Sequence, residues 1–228
     1  MILDPNNQYL QAIQAHVALT GAKLLEIGCG TGRMTRDLAL HARKIVATDL
    51  DNNLLMKAQE TLTAANVELL HTPDGIPELP LATFDVVIYS LSLHHIPQNA
   101  MQDHLIHSGS LLKRDGSIIV IEPGNSGSFL EVKKRFGAGS GDEGPEKAAA
   151  AAAMQHLDGW ITSPCYPFEV EFQFSDSDDF FANKLPNYHE LTSEKQAELR
   201  RILDDNTTTR GIILTSERYL YLLKRAER

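Results

Sequence analysis

Apolar runs and helical stretches alternate along the first half of the chain. From Gln8 to Leu19, the apolar positions Leu10, Ile13 and Val17 recur at helical spacing behind Pro5 and Asn6, predicting a helix that Thr20-Gly21 ends. Leu24, Leu25 and Ile27 have the makeup of a short buried strand, stopped by Gly28, Gly30 and Gly32; Arg33 to His41 then predicts helix. Lys44 to Thr48 repeats the pattern and ends at Asp49, with Asp51 placed to cap a helix through Leu54, Leu55, Met56 and Ala58. A weak strand over Val67 to Leu70 leads into the breaker-rich His71-Thr72-Pro73-Asp74-Gly75. Phe84 to Tyr89 is a stronger strand, running into Ser90-Leu91-Ser92-Leu93-His94-His95. Helical spacing returns between Asn99 and Leu112, and Asp115-Gly116 is expected to turn into a fifth strand, Ser117 to Ile121. Five strands alternating with helical segments imply a parallel sheet with helices on both faces.

Beyond Glu122-Pro123 the pattern changes. Residues 124–144 are rich in Gly and Ser around a charged patch, Glu131 to Arg135, which predicts a short helix and then a loop able to move over a site. The alanine run Ala148 to Ala153 predicts a helix that packs closely against a neighbour. Phe168, Val170, Phe172 and Phe174 alternate with polar residues as in a half-exposed strand. Thr192 to Leu203 is an amphipathic helix with a capping box, and Arg218 to Lys224 reads as a final strand at a sheet edge, with helix as the alternative its apolar run leaves open. The expected organisation is one domain over residues 1–228, with residues 124–164 as a substrate-covering insertion within it.

Composition narrows the partners. Thirty acidic against 21 basic residues give a formal charge of −9, which argues against a nucleic-acid or anionic-membrane surface. Cys29 and Cys165 offer neither a disulfide framework nor metal-ligand spacing, so no metal is expected. The N-terminus lacks the features of a signal peptide, and no apolar run reaches the roughly 18 residues that span a bilayer. A cytoplasmic location and a small-molecule partner are expected.

The stretch LLEIGCGTGRMT carries the first chemistry. Glycine at alternate positions permits positive φ and lets a ligand approach without a Cβ in the way, while the following helix aims free N–H groups at the turn. The spacing is GxGxG rather than the GxGxxG of dinucleotide turns, and no Gly-Lys-Ser/Thr ending follows, so a diphosphate is not the first expectation. Asp49, ending the second strand, is placed to accept hydrogen bonds from ribose hydroxyls.

Taken with VATDLD, TPDGIPELP, FDVVIYSLSLHHIP and LLKRDGSIIVIEPG, this stretch resembles the motif series of class I S-adenosylmethionine-dependent methyltransferases of the small-molecule type. The resemblance covers residues 24–123 motif by motif. It implies a Rossmann-like, mostly parallel seven-stranded sheet with helices on both faces, an antiparallel strand near the C-terminus and a helical insertion after the fifth strand. It implies S-adenosyl-L-methionine as cofactor, held by Glu26, Gly28, Gly30, Gly32, Asp49, Leu50, Asp74, Gly75 and Ser90. Glu26 would organise the ammonium group, Leu50 would face the adenine, and Asp74 would meet the adenine amino group. His95 and His94 are the candidate catalytic residues, able to take a proton as the methyl moves; the alternative is that they only shape the pocket. Acceptor contacts are expected from the N-terminal helix, the loop after Glu122 and residues 154–189, including His156, Trp160, Tyr166, Tyr188 and His189.

The implied activity is methyl transfer to an O, N or C atom of a small molecule. Two alternatives stand beside it: a cofactor-binding regulatory protein or protein methyltransferase, and a nicotinamide-dependent oxidoreductase. The sequence leaves the acceptor and the oligomeric state open.

Overall fold

The computed structural model describes residues 1–139 and 143–226. Ser140 to Asp142, part of the loop expected after the fifth strand, lie outside the described residues. In chain order the first elements are β1 (Ile2–Leu3), α1 (Gln8–Gln14), β2 (Lys23–Ile27), α2 (Arg33–Ala39), β3 (Lys44–Asp49), α3 (Asn52–Thr61), β4 (Val67–His71) and β5 (Phe84–Ser90). Two short 3-10 turns, Leu93–His95 and Gln98–Ala100, lead into α4 (Met101–Leu111) and β6 (Leu112–Pro123). The remainder is α5 (Ser128–Phe136), α6 (Gly144–Gln155), β7 (Trp160–Thr162), β8 (Tyr166–Phe174), α7 (Ser177–Lys184), α8 (Ser193–Asp205), β9 (Thr207–Thr208) and β10 (Gly211–Arg225).

The chain forms two compact units, and the larger comprises residues 9–122, 144–166 and 219–228. Its strands β6-β5-β2-β3-β4 pair in parallel, Leu25 lying opposite Val46 on one side and Val87 on the other and Ile88 opposite Ile119, while β7 pairs antiparallel with the end of β10, Thr162 opposite Leu223. β2 and β5 are buried on both faces, which is why they read as near-continuous apolar runs rather than as alternation. One face packs Leu25, Val87, Ile118 and Val120 against Leu105 and Leu111 of α4 and Ala150, Ala153 and Met154 of α6. The alanine run thus does what its composition predicts. With almost no side chain in the way, α6 comes close to α4 and to the Leu93–His95 turn.

The smaller unit holds residues 1–8, 123–143 and 167–218. β1 pairs antiparallel with β8, and β9 pairs antiparallel with the start of β10. Val170, Phe172 and Phe174 are buried as the alternation predicts, and Phe129 of α5 stacks on Phe172 at 4.3 Å. Thr192 caps α8, its side chain accepting from the Lys195 N–H.

Three local expectations are corrected. The first helix ends at Gln14 rather than Leu19, where the His16 N–H bonds the Ile13 carbonyl three residues back and tightens the last turn. Asp115-Gly116 does not turn into a strand; it lies inside β6, where a register shift against β5 accommodates the extra residues and Gly116 has no room for a Cβ beside the Asp85 carbonyl. α7 was not foreseen: its sequence SDDFFANK buries only Phe180, so no apolar stripe announces it, although Asp176 caps it at the Asp179 N–H. Among the described residues, no helix is long and apolar enough to cross a membrane.

Candidate functional site

The site lies in the larger unit, where the chain leaves β2, β3, β4 and β5 at their carboxyl ends. Gly28 and Gly30 take φ of +75° and +56°, the left-handed region that favours glycine. The N–H groups of Gly28 and Cys29 donate to the Thr48 carbonyl at 2.8 and 2.9 Å, tying the turn to β3. Asp49 is buried; one carboxylate oxygen accepts the Gly30 N–H at 2.7 Å and the other the Asp51 N–H at 2.9 Å. It therefore organises two backbone segments and still has lone pairs for a ligand hydroxyl. Asp51 caps α3 through the Asn53 N–H.

A third segment closes on the turn from β5. Ser92 donates through Oγ to the Ile27 carbonyl at 2.6 Å, and a Cβ on Gly28 would stand 2.5 Å from the Ser92 Cβ. Ser92→Ala is expected to cost about 1 kcal/mol of stability, the net worth of one hydrogen bond, checked by urea unfolding.

These segments enclose a cavity of about 660 Å3. Seven of the residues expected from the sequence line it: Gly28, Gly30, Asp49, Leu50, Asp74, Gly75 and His95. Leu50 stands 68% exposed on its rim as an apolar shelf, its carbonyl held by His71 Nε2 at 3.0 Å. Gly75 has φ +99° and lies against the His104 ring, which leaves a Cβ no room.

Glu26, Gly32, Ser90 and His94 are not among the lining residues. Glu26 sits beneath the turn, almost wholly buried, accepting the Thr35 hydroxyl at 2.7 Å. Burial pushes its carboxyl up to about 7, opposed by the Thr35 hydrogen bond and by Arg33. Gly32 is the N-cap of α2, and a Cβ there would stand 2.6 Å from Leu62 Cδ1, so this glycine serves close packing. Ser90 ends β5, and the wall is formed by the next residues, Leu91 and Ser92. His94 is buried: both its backbone N–H, at 3.2 Å, and its Nδ1 bond to the Glu122 carboxylate, and its ring packs on His95 with centroids 4.1 Å apart.

Sequence reasoning missed Ser92, Thr72, His104 and Glu122. The signals were present but weak: Ser92 is two residues past Ser90, and Glu122 is an acid ending a strand opposite a His-His pair. Thr72 Oγ1 and His104 Nδ1 are buried without a hydrogen-bond partner among the described residues, and both residues line the cavity. Burial, helped by His107, holds the His104 ring below the usual histidine range. None of the aromatic residues expected to meet the acceptor is among the lining residues. Trp160 packs over Gly109 beneath the Arg225 guanidinium, Tyr166 stacks on His16, and Tyr188 stacks on Phe181.

The charges of the cavity select its ligand. Asp49, Asp51 and Asp74 line it, and among the described residues no Lys or Arg does. A diphosphate would meet uncompensated carboxylates there, whereas a cationic, phosphate-free nucleoside would not. The glycine cradle and the Leu50 shelf fit such a molecule.

A family model for a methyltransferase domain matches residues 24–116, the segment that builds this cavity. An uncharacterized methyltransferase of Mycobacterium tuberculosis is 32% identical over 118 residues; the match covers 52% of this chain and 59% of the relative, less than two thirds of its length. The crystal structure of the YcgJ protein from Bacillus subtilis superposes with a TM-score of 0.59 at 13% identity, covering 96% of this chain and 99% of that one. A SAM-dependent methyltransferase from Aquifex aeolicus gives 0.54 at 17% identity over 68% of this chain and 81% of that one. The resemblance expected from the motifs is thereby found over this segment: residues 24–116 match a methyltransferase domain, the solved structures share the Rossmann-like α/β fold, and the match supports S-adenosyl-L-methionine as cofactor.

Proposed function

We propose that the chain is an enzyme that transfers a methyl group from S-adenosyl-L-methionine to an O, N or C atom of a small molecule. The observation that supports this reading most is the cavity's charge: three carboxylates and, among the described residues, no Lys or Arg around a glycine turn, which suits a sulfonium nucleoside. The same feature disfavours a nicotinamide dinucleotide, whose pyrophosphate wants N–H groups and positive charge. The acidic chain supports a small acceptor over nucleic acid.

In this reading Gly28 and Gly30 admit the cofactor's amino-acid and ribose parts against the backbone, with Glu26 set below them. Asp49 holds the ribose hydroxyls, Leu50 covers one face of the base, and Asp74 with Gly75 meets its edge. When bound, the cofactor supplies an electrophilic methyl group. The chain's main contribution is then positioning, since holding two reactants in line is worth up to roughly 7 to 11 kcal/mol. His95, on the cavity wall, stands where the acceptor can be met.

Isothermal titration with S-adenosylhomocysteine and, separately, with NAD tests the assignment. Saturable heat with the first and none with the second is expected. Binding of NAD alone, or of neither, would sink the reading. Formation of S-adenosylhomocysteine on incubation with pooled metabolites then separates an enzyme from a cofactor-binding regulator.

A further inference from the structure

The cofactor cavity opens at the carboxyl ends of the strands, and the opposite edge of the same sheet carries the opposite charge. β2 begins at Lys23, β3 at Lys44 just after Arg43, and Lys113 and Arg114 stand where β6 enters the sheet. Lys224 and Arg225 end β10 beside them, with the Arg225 guanidinium donating to the Lys113 and Arg114 carbonyls at 2.8 and 3.2 Å. These are seven of the chain's 21 Lys and Arg residues. Glu68, Asp85 and Asp115 stand among them, and two of these carboxylates are engaged. Asp85 accepts from Lys113 Nζ at 2.6 Å and from the Lys23 backbone N–H at 2.8 Å, and Glu68 pairs with Lys44 at 2.6 Å. Arg43, Arg114 and Lys224 are exposed, and none of them has an ion pair among the described residues.

Two clefts of about 520 Å3 each indent this edge. One is lined by Lys113, Arg114 and Lys224 together with His16 and the two aspartates, the other by Arg43 and Lys44 with Asn66 and Glu68. β3 and β6 lie three strand spacings apart, roughly 14 Å, which about four residues of extended chain span. Crowding cations on one edge of a chain whose formal charge is −9 costs self-repulsion there, and an anionic partner relieves it. We propose that this edge is a docking surface for an acidic protein: an extended segment of the partner crosses the amino ends of the strands and sets carboxylates, about four residues apart, into the two clefts. The inference goes beyond the methyl-transfer reading and stands without it. Bound there, the partner leaves the cofactor cavity open, because the clefts lie at the other end of the same strands. A nucleic acid fits less well. Its phosphate chain would meet Glu68, Asp85 and Asp115 as well as the cations, and the clefts offer its bases no aromatic platform among the described residues, since the His16 ring is stacked on Tyr166 at 4.1 Å.

Fluorescence anisotropy with a labelled twelve-residue polyglutamate peptide tests the surface on the intact protein at about 20 mM salt, where exposed charges are little screened. Saturable binding is expected, weakening steeply as salt rises to about 200 mM. R114E/K224E should lower affinity about tenfold or more, and R114Q/K224Q, which only removes charge, about threefold. K195E/R201E changes the net charge by as much as R114E/K224E, at two exposed residues of α8, and should alter affinity by less than about twofold. Urea midpoints equal to that of the wild type show that the variants fold. A twelve-nucleotide oligothymidylate of similar charge should bind more weakly than the peptide.

Absence of saturable peptide binding at the lower salt overturns the proposal. Equal losses in R114E/K224E and K195E/R201E do so too, since they would trace binding to net charge rather than to this edge. Should R114E/K224E fail to fold, R114Q/K224Q decides, and an affinity unchanged in that variant overturns the proposal. Tighter binding of the oligothymidylate than of the peptide would make the edge a nucleic-acid surface and overturn the assignment to an acidic protein.

Discussion

Gly28→Ala should remove measurable binding of S-adenosylhomocysteine, with affinity falling about 100-fold or more, equivalent to roughly 2.7 kcal/mol. Two independent costs act at this position. The backbone sits at φ +75°, where an L side chain costs about 1 to 2 kcal/mol. The new methyl would also stand 2.5 Å from the Ser92 Cβ, closer than carbon atoms approach, so the segment after β5 must move. Its movement breaks the Ser92 bond to the Ile27 carbonyl and displaces the cavity wall that Leu91 and Ser92 form. Stability should fall by about 2 to 3 kcal/mol, read as a lower urea midpoint at unchanged slope. Gly30→Ala supplies the contrast. Its φ is also positive, at +56°, but no atom stands within 4 Å of the added Cβ, so about 1 kcal/mol of backbone strain is expected and the wall stays in place. Equal losses of stability from the two substitutions would show that φ alone matters and that the approach of Ser92 does not.

The contrast between these glycines also shows how far the sequence could be read. GxGxG identifies a turn that needs glycines, because only glycine tolerates the required φ, and this property is local. It does not distinguish Gly28, pressed by Ser92, from Gly32, pressed by Leu62 of a helix end, since both neighbours lie distant in sequence. The parallel core was legible for a similar reason: β2, β5 and β6 carry continuous apolar runs because helices cover them. Asp49 was legible because it ends β3 and Asp74 because it lies in the breaker-rich turn just after β4, both at the edge where ligands of such sheets gather. Glu122 ends a strand as well, yet its partner is fixed only once β6 lies beside β5 and brings the carboxylate to the Leu93–His95 turn. α7 was illegible for the opposite reason, since a helix that buries one phenylalanine leaves no periodic trace.

Glu26→Gln should stabilise the protein at pH 8 and leave it unchanged near pH 4.5. Burial raises the folded-state pKa of Glu26 from 4.5 to about 7, so the folded protein holds a proton that the unfolded chain releases more readily. Below the unfolded value both states are protonated, and the carboxyl carries no penalty. Between about 4.5 and 7 the unfolded state ionises first and folding stability falls with rising pH; above about 8 the full difference, roughly 3 kcal/mol, has been lost. A glutamine cannot ionise, and its carbonyl oxygen can still accept the Thr35 hydroxyl, so the variant escapes this loss. Urea unfolding of both proteins at pH 5, 6, 7 and 8 should show curves that coincide at the acid end and separate steadily above it. A separation independent of pH would mean that the ionisation of Glu26 is not its source. The buried acid also has a consequence under the proposed function: an ammonium group arriving near Glu26 favours the carboxylate and drives its proton off. Titration with S-adenosylhomocysteine at pH 6 should therefore release protons, seen as heats that vary with the ionisation enthalpy of the buffer, and Glu26→Gln should abolish that variation. Heats that remain buffer-dependent in the variant would place the proton elsewhere and leave Glu26 as a packing residue beneath the glycine turn.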